Sequence, residues 1–100
     1  FIIVILDNKH RFLSEKTVTV GLLNRSLVHP REVFAEAIEQ RAAAIICIHN
    51  HPSGDSSPSE EDKRITRRLQ ESGELLGIPL LDHIIISKED FTSFADEGWL

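Results

Sequence analysis

The sequence predicts an α/β fold of three layers, in which a mixed β-sheet is flanked by helices. Three observations carry this prediction. Isoleucine-rich apolar runs open the chain and recur at residues 42–49 and 78–87, as expected of buried strands. Apolar residues recur at helical spacing over residues 29–41 and 59–76. The resulting order, β-β-α-β-α-β with a short tail, fits strands and helices packed around one sheet.

The first two strands are predicted to form a hairpin. FIIVIL and a second segment ending in TVTVG are β-rich, and polar turn residues at 7–10 join them. The segment LLNRSLVHP is ambiguous up to Pro30, which suits the first turn of a helix because it lacks an N–H that would go unpaired there. We therefore predict a helix from about His29 to Arg41.

The second half of the chain is predicted to alternate between strands and a helix. Residues 42–49, AAAIICIH, have no polar break and should form a central strand, followed by the loop HPSGDSSP. A helix then begins at Ser59 and stops at Gly77, with Ile65, Leu69, Ser72 and Leu76 along its apolar face. IPLLDHIIIS forms another buried strand. Phe91, Phe94 and Trp99 in the tail should cover a sheet edge or a helix.

Composition limits the classes of function. One hundred residues, 41% of them hydrophobic, predict a single domain over residues 1–100 with its own modest core. A net charge of -5 argues against direct nucleic-acid binding, since that needs clustered Lys and Arg. The single Cys47 excludes a disulfide framework and predicts a buried thiol in a reducing, cytoplasmic setting. No apolar segment is long enough for a membrane helix, and FIIVIL is too short for a signal peptide.

The candidate metal-binding residues lie where the predicted central strand ends. His49 and His51 flank Asn50, and residues i and i+2 of an extended chain point to the same face, so their imidazoles can converge on one metal ion. Asp62, in the first turn of the next helix, can add an oxygen ligand. Two nitrogens and one oxygen leave a fourth zinc position free for water, as in catalytic sites, where zinc lowers the pKa of water to about 7.

These residues match a family pattern. His49-x-His51, seven residues, Ser59, two residues and Asp62 form the His-x-His-x7-Ser-x-x-Asp signature of JAMM metalloproteases, which carry JAB/MPN domains. The wider text, HNHPSGDSSPSEED and ITRRLQESGELLGIPLLDHIIIS, closely resembles the C-terminal domain of RadC-family proteins, bacterial proteins labelled historically as DNA repair factors. FIIVILDNKHRFL and FADEGWL extend the resemblance over essentially the whole chain.

The resemblance implies a cytidine-deaminase-like α/β fold and one Zn²⁺ held by His49, His51 and Asp62, with Ser59 stabilising the tetrahedral oxyanion. It also implies a glutamate just before the first core strand that takes the proton from water. Because the chain begins at Phe1 without a methionine, we expect that glutamate, and the helix-hairpin-helix-like N-terminal region typical of the family, to lie outside these 100 residues. Asn50 departs from the Ser or Thr usual in ubiquitin-cleaving members, which leaves the substrate open.

Simpler interpretations stand beside these. Ser59-x-x-Asp62 is also a capping box, and His83 is either a satisfied core histidine or a residue supporting the zinc ligands. The cations of the second helix, Lys63, Arg64, Arg67 and Arg68, are interpreted as a solvated face. The letters HNH at residues 49–51 are not the nuclease motif of that name, whose residues lie far apart in sequence. A zinc deaminase needs His-x-Glu with a later Pro-Cys-x-x-Cys, whereas this chain has His51 in the place of that glutamate and a single cysteine.

Two classes of function follow. The first is a zinc-dependent hydrolase acting on a peptide or another amide substrate. The alternative is a binding module, either a partner-binding domain in DNA repair or a catalytically inactive JAMM scaffold. The prediction of zinc rather than another divalent metal rests on the two imidazoles and on the resemblance.

Overall fold

The computed structural model describes residues 1–18, 28–52 and 54–100. Its elements, in chain order, are β1 (Ile2–Leu6), β2 (Phe12–Thr17), α1 (Pro30–Glu39), β3 (Ala44–Asn50), α2 (Glu60–Leu76), β4 (Leu80–Ile86) and β5 (Phe91–Ser93). The predicted α/β class with a mixed sheet and flanking helices is confirmed. Residues 19–27, which hold the end of TVTVG and most of LLNRSLVHP, lie outside the described residues, as does Ser53 of the predicted loop.

The five strands form one sheet in the order β2-β1-β3-β4-β5, so β3 is central, as predicted. β1 pairs antiparallel with both β2 and β3, whereas β3 and β4 are parallel. As a result, the C-terminal ends of β3 and β4 and the N-terminal end of β1 lie at the same end of the sheet. The histidine pair lies at that end.

The hairpin turn is organised by Asp7. Its carboxylate accepts hydrogen bonds from the backbone N–H groups of Lys9 and Arg11, both at 2.9 Å. His10 between them adopts a left-handed conformation, with φ of 57°. This local bonding explains how a turn without glycine reverses the chain, because the carboxylate pairs backbone donors that the turn leaves free.

Both helices pack on the same face of the sheet. Ile3 pairs with Cys47 in the sheet register, and these alternate residues are fully buried in one cluster with Phe34 of α1 and Leu69 of α2. On the other face, Ile46 is only partly buried. The two helices form one outer layer, and no second outer layer is formed by a helix within residues 1–18, 28–52 and 54–100.

Helix α2 has well-defined ends. Ser59 is its N-cap in a capping box with Asp62, and Gly77 ends it in the left-handed conformation, with φ of 72°. Leu76, predicted on the apolar face, is 48% exposed, and Gly73 takes the buried position one turn earlier. A Cβ at Gly73 would lie 2.5 Å from the carbonyl oxygen of Ile78, so the chain can turn closely past the helix only because this residue has no side chain.

The tail contains a strand that the sequence did not predict. β5, Phe91–Ser93, pairs antiparallel with the end of β4 and forms an edge of the sheet. Phe94 is buried as core, whereas Phe91 is 64% and Trp99 48% exposed, so only one of the three aromatic residues provides full cover. None of the helices in the described part of the chain is long and apolar enough to cross a membrane.

Candidate metal centre

The three predicted ligands come from two elements that meet at this end of the sheet. His49 is the penultimate residue of β3. His51 follows the strand, and its backbone N–H donates to the carbonyl oxygen of Ile86 at 2.8 Å. Asp62 lies at the third position of α2. The parallel pairing of β3 with β4 therefore holds the histidine pair while the start of α2 presents the carboxylate.

The side chains converge closely. One ligand atom from each of His49, His51 and Asp62 lies within 4.8 Å of the others. His49 Nδ1 is 3.3 Å from Asp62 Oδ1, and His51 Nε2 is 3.0 Å from Asp62 Oδ2. Tetrahedral zinc with bonds near 2.0–2.1 Å separates its ligand atoms by about 3.3 Å. Each histidine is therefore at about this distance from one carboxylate oxygen of Asp62, and the three groups together are close enough to bind one small cation.

The hydrogen bonding around the imidazoles also fits a metal. His49 Nδ1 is buried and, although it lies 3.3 Å from Asp62 Oδ1, it makes no well-aligned hydrogen bond within the described residues, whereas buried polar groups are usually paired. His51 Nδ1 lies 3.1 Å from the carbonyl oxygen of Asp55, which can only accept, so Nδ1 carries the proton. In the neutral imidazole Nε2 is then the nitrogen that can bind a metal, and donation of the other ring N–H to a backbone carbonyl is common in histidine ligands of metals.

Asp62 caps the helix and also lies where a metal ligand would be needed, so its position is compatible with both of the predicted roles. Its Oδ2 accepts from the backbone N–H of Ser59 at 2.8 Å, completing the capping box, while the same carboxylate faces His49 and His51. Burial raises its pKa, but the imidazole of His49 and the N–H of Ser59 outweigh burial, so the pKa of Asp62 lies well below its usual range. The carboxylate is therefore an anion at neutral pH, as a metal ligand must be.

Ser59 is placed by the same capping box. Its Oγ accepts from the backbone N–H of Asp62 at 3.0 Å. Because this bond uses a lone pair, the hydroxyl proton is not consumed by the cap. The hydroxyl therefore keeps its proton free to donate to another group while it caps the helix.

Only one of the two ring nitrogens of His83 has a hydrogen-bond partner within the described residues. His83 is 1% exposed, and its Nδ1 lies 2.6 Å from Thr66 Oγ1, but Nε2 has no hydrogen-bond partner among residues 1–18, 28–52 and 54–100. Burial lowers the pKa of His83 to about 4; the charge of His49 adds to the lowering, and Asp62 and Asp82 partly offset it. The simple alternative of a fully paired core histidine does not describe this residue.

The lowered pKa of His83 predicts acid sensitivity of the metal-free protein. Protonation favours the unfolded chain, so the stability from a neutral His83 is complete above pH 6.5 and is lost as the pH falls to about 4. A shift of this size corresponds to about 3 kcal/mol. Urea unfolding in EDTA at pH 7.5, 5.5 and 4.5 measures the loss. His83→Asn should flatten it, and an equally steep loss in that variant would contradict the assignment.

The remaining candidates lie away from this centre. Cys47 is fully buried, and burial raises the pKa of its thiol, so it stays protonated and unreactive. His29 is exposed and caps α1 without a side-chain hydrogen bond. The four cations of α2, Lys63, Arg64, Arg67 and Arg68, are exposed, as predicted for a solvated helix face.

The sequence did not predict three groups that contact the candidate site residues. Thr66, the carbonyl of Asp55 and the ring of Phe1, whose centroid lies 5.9 Å from that of His49, all contact the predicted site residues. Thr66 alone left a signal, since it falls four residues after Asp62 on the buried side of α2. Phe1 becomes a neighbour of His49 through the pairing of β1 with β3, and the Asp55 carbonyl reaches His51 through the conformation of the loop after β3.

Comparison with known proteins agrees with this geometry. A family profile described as "RadC-like JAB domain" matches residues 1–99. A UPF0758 protein of Bacillus licheniformis is 55% identical over the whole chain, which covers 45% of that relative. UPF0758 proteins of Methanospirillum hungatei and Geotalea uraniireducens are 56% and 55% identical, each with 44% of its length covered.

The chain thus spans less than half the length of these relatives. Within that span, the α/β fold with its five-stranded mixed sheet and a His-His-Asp triad able to bind a metal ion are those of a JAB/MPN-type domain. The family profile covers all but the last residue. The chain belongs to the RadC-like JAB domain family.

Proposed function

We propose that this domain is a zinc-dependent hydrolase that cleaves an amide bond of a peptide or isopeptide. The observation that carries the proposal is the convergence of His49, His51 and Asp62 within 4.8 Å, a set of three protein ligands within the described parts of the chain. Three ligands leave a zinc position open, which distinguishes catalytic from structural zinc sites. A bound zinc ion would supply an activated water and polarise the substrate carbonyl.

The residues of the chain would share the remaining work. His49 and His51 would hold the metal through ring nitrogens, and the Asp62 carboxylate would contribute its negative charge. The Ser59 hydroxyl donates a hydrogen bond to the carbonyl oxygen of the substrate as negative charge develops on it, which is where such donors have most effect. The Asp55 carbonyl keeps the His51 ring in the orientation that ligation needs.

The sheet register supports a proton acceptor upstream of Phe1. Ile2 pairs with Ile48 in antiparallel β1 and β3, so chain that precedes Phe1 in a longer protein would continue alongside Asn50 and His51. The ring of Phe1 already approaches His49. A glutamate in the few residues before Phe1 would therefore reach the site without any rearrangement of the sheet.

This placement predicts the effect of extending the chain. Residues 1–100 should bind zinc but turn over poorly, and a protein that begins several residues earlier should hydrolyse amides roughly 10²- to 10⁴-fold faster, the usual contribution of a general base. A library of fluorogenic peptide amides and isopeptide-linked peptides, with and without chelator, measures the rate.

The matched control changes the upstream glutamate to glutamine in the longer protein. This variant should return to the low rate with unchanged zinc content. If extension has no effect on a measurable rate, the placement of the base is wrong. If the longer, zinc-loaded protein cleaves no member of the library, the binding-module alternative is favoured over hydrolysis.

A further inference from the structure

Two buried hydrogen bonds join β4 to the first turn of α2. His83 Nδ1 lies 2.6 Å from Thr66 Oγ1, and the Thr66 hydroxyl donates to the backbone carbonyl oxygen of Asp62 at 2.7 Å. Both His83 and Thr66 are almost fully buried, at 1% and 2% exposure. These bonds therefore connect the core of the sheet to the backbone of the residue that presents the carboxylate.

The direction of the protons follows from the atoms involved. The Asp62 carbonyl can only accept, so the single proton of the Thr66 hydroxyl points to it. Thr66 Oγ1 must then accept from His83, which places the proton of the neutral imidazole on Nδ1. His83 acts as a donor that orients Thr66, and Thr66 in turn bonds the Asp62 backbone.

The His83 ring, from which these hydrogen bonds start, is held rigidly. The His83 ring stacks on Phe94, with centroids 4.8 Å apart and planes 16° apart, and Phe1 packs against it edge-on. His83 also pairs with Cys47 in the parallel register of β3 and β4. The imidazole cannot swing away without disturbing the core, so its bond to Thr66 fixes a definite distance between the sheet and α2.

Asp62 is a residue for which such a fixed position matters. It lies at the third position of α2, in a terminal turn, and terminal turns are the part of a helix that frays. The capping box with Ser59 bonds both its carboxylate and its backbone N–H. Thr66 bonds its backbone carbonyl and is itself tied to β4 through His83, so only this second bond connects Asp62 to the sheet.

We propose that Thr66 and His83 are positioning residues that hold Asp62 in place for metal binding. This inference rests on the proposed zinc site. Neither residue contacts the metal; each acts through the next, and the readout is the affinity of the folded protein for zinc. Partners that orient metal ligands typically change metal affinity by roughly 10- to 100-fold when removed.

The first test compares two substitutions of Thr66. Thr66→Val keeps the shape and removes the hydroxyl, and we expect it to weaken zinc binding by roughly 10- to 100-fold. Thr66→Ser keeps the hydroxyl and should bind zinc within about 3-fold of the parent. Competition with a chromophoric chelator measures affinity, and circular dichroism verifies that each variant is folded.

The second test compares two substitutions of His83 and decides the question if Thr66→Val does not fold. His83→Asn retains an N–H near the position of Nδ1, whereas His83→Leu retains bulk without a donor. We expect zinc affinity to fall in the leucine variant and to be largely kept in the asparagine variant. Equal losses in both would overturn the positioning role of the Nδ1 donor.

The outcomes separate this inference from the function on which it rests. If the parent domain binds no zinc, the proposed metal site fails. If the parent binds zinc and both Thr66→Val and His83→Leu bind it equally well, the site stands and the positioning role is wrong. Reduced urea stability with unchanged zinc affinity would show that the two residues only support the core.

Discussion

Replacing both histidines, His49→Ala with His51→Ala, should abolish zinc binding by the domain. The parent is expected to bind one zinc ion per chain in a chelator competition, and the double variant none at the same zinc activity. The reason is the donor count: Asp62 alone would remain of the three groups that converge within 4.8 Å. A single carboxylate does not form a zinc site of the usual four-coordinate kind.

His29→Ala provides the matched control for this experiment. His29 is exposed and makes no side-chain cap bond, so removing it should leave zinc affinity unchanged. Metal content of both proteins, measured after dialysis against buffered zinc, gives the comparison. A parent domain that remains free of zinc under these conditions would contradict the metal site itself.

Ser59→Ala should separate catalysis from metal binding. In a longer protein with measurable activity, we expect kcat to fall by roughly 10²- to 10³-fold, the usual cost of removing one donor to a developing oxyanion. The lost cap should also lower the free energy of unfolding by about 1 kcal/mol. Zinc affinity should be largely kept, because alanine retains the backbone N–H that bonds the Asp62 carboxylate, and Thr66 still bonds the Asp62 carbonyl.

Ser59→Thr is the control, since threonine restores both the cap and a hydroxyl donor. It should recover stability and most of the activity. The decisive measurement is kcat beside the unfolding free energy from urea titration. If Ser59→Ala loses stability but keeps kcat, the serine is a cap only and the oxyanion role is wrong.

Much of the fold could be predicted because its local signals are strong. The isoleucine runs, Pro30 at the start of α1 and Gly77 after α2 each mark an element, and the structure has them in the predicted order. β5 was missed because its three residues form a strand only by pairing with the end of β4. Leu76 was misplaced because helical periodicity cannot show where the sheet beneath a helix ends.

For the site, the sequence by itself determined which residues are candidates. His49, His51 and Asp62 were predicted as ligands from their residue types and positions, since side chains at i and i+2 of a strand point to the same face, whereas the role of Ser59 came from the resemblance to the family signature. Only the tertiary structure decided that Asp62 is a cap and faces both histidines at once. It alone also showed that Thr66 and His83 tie its backbone to β4. The physical reason is distance along the chain: hydrogen bonds between residues 17 positions apart depend on the strand register, which no local pattern specifies.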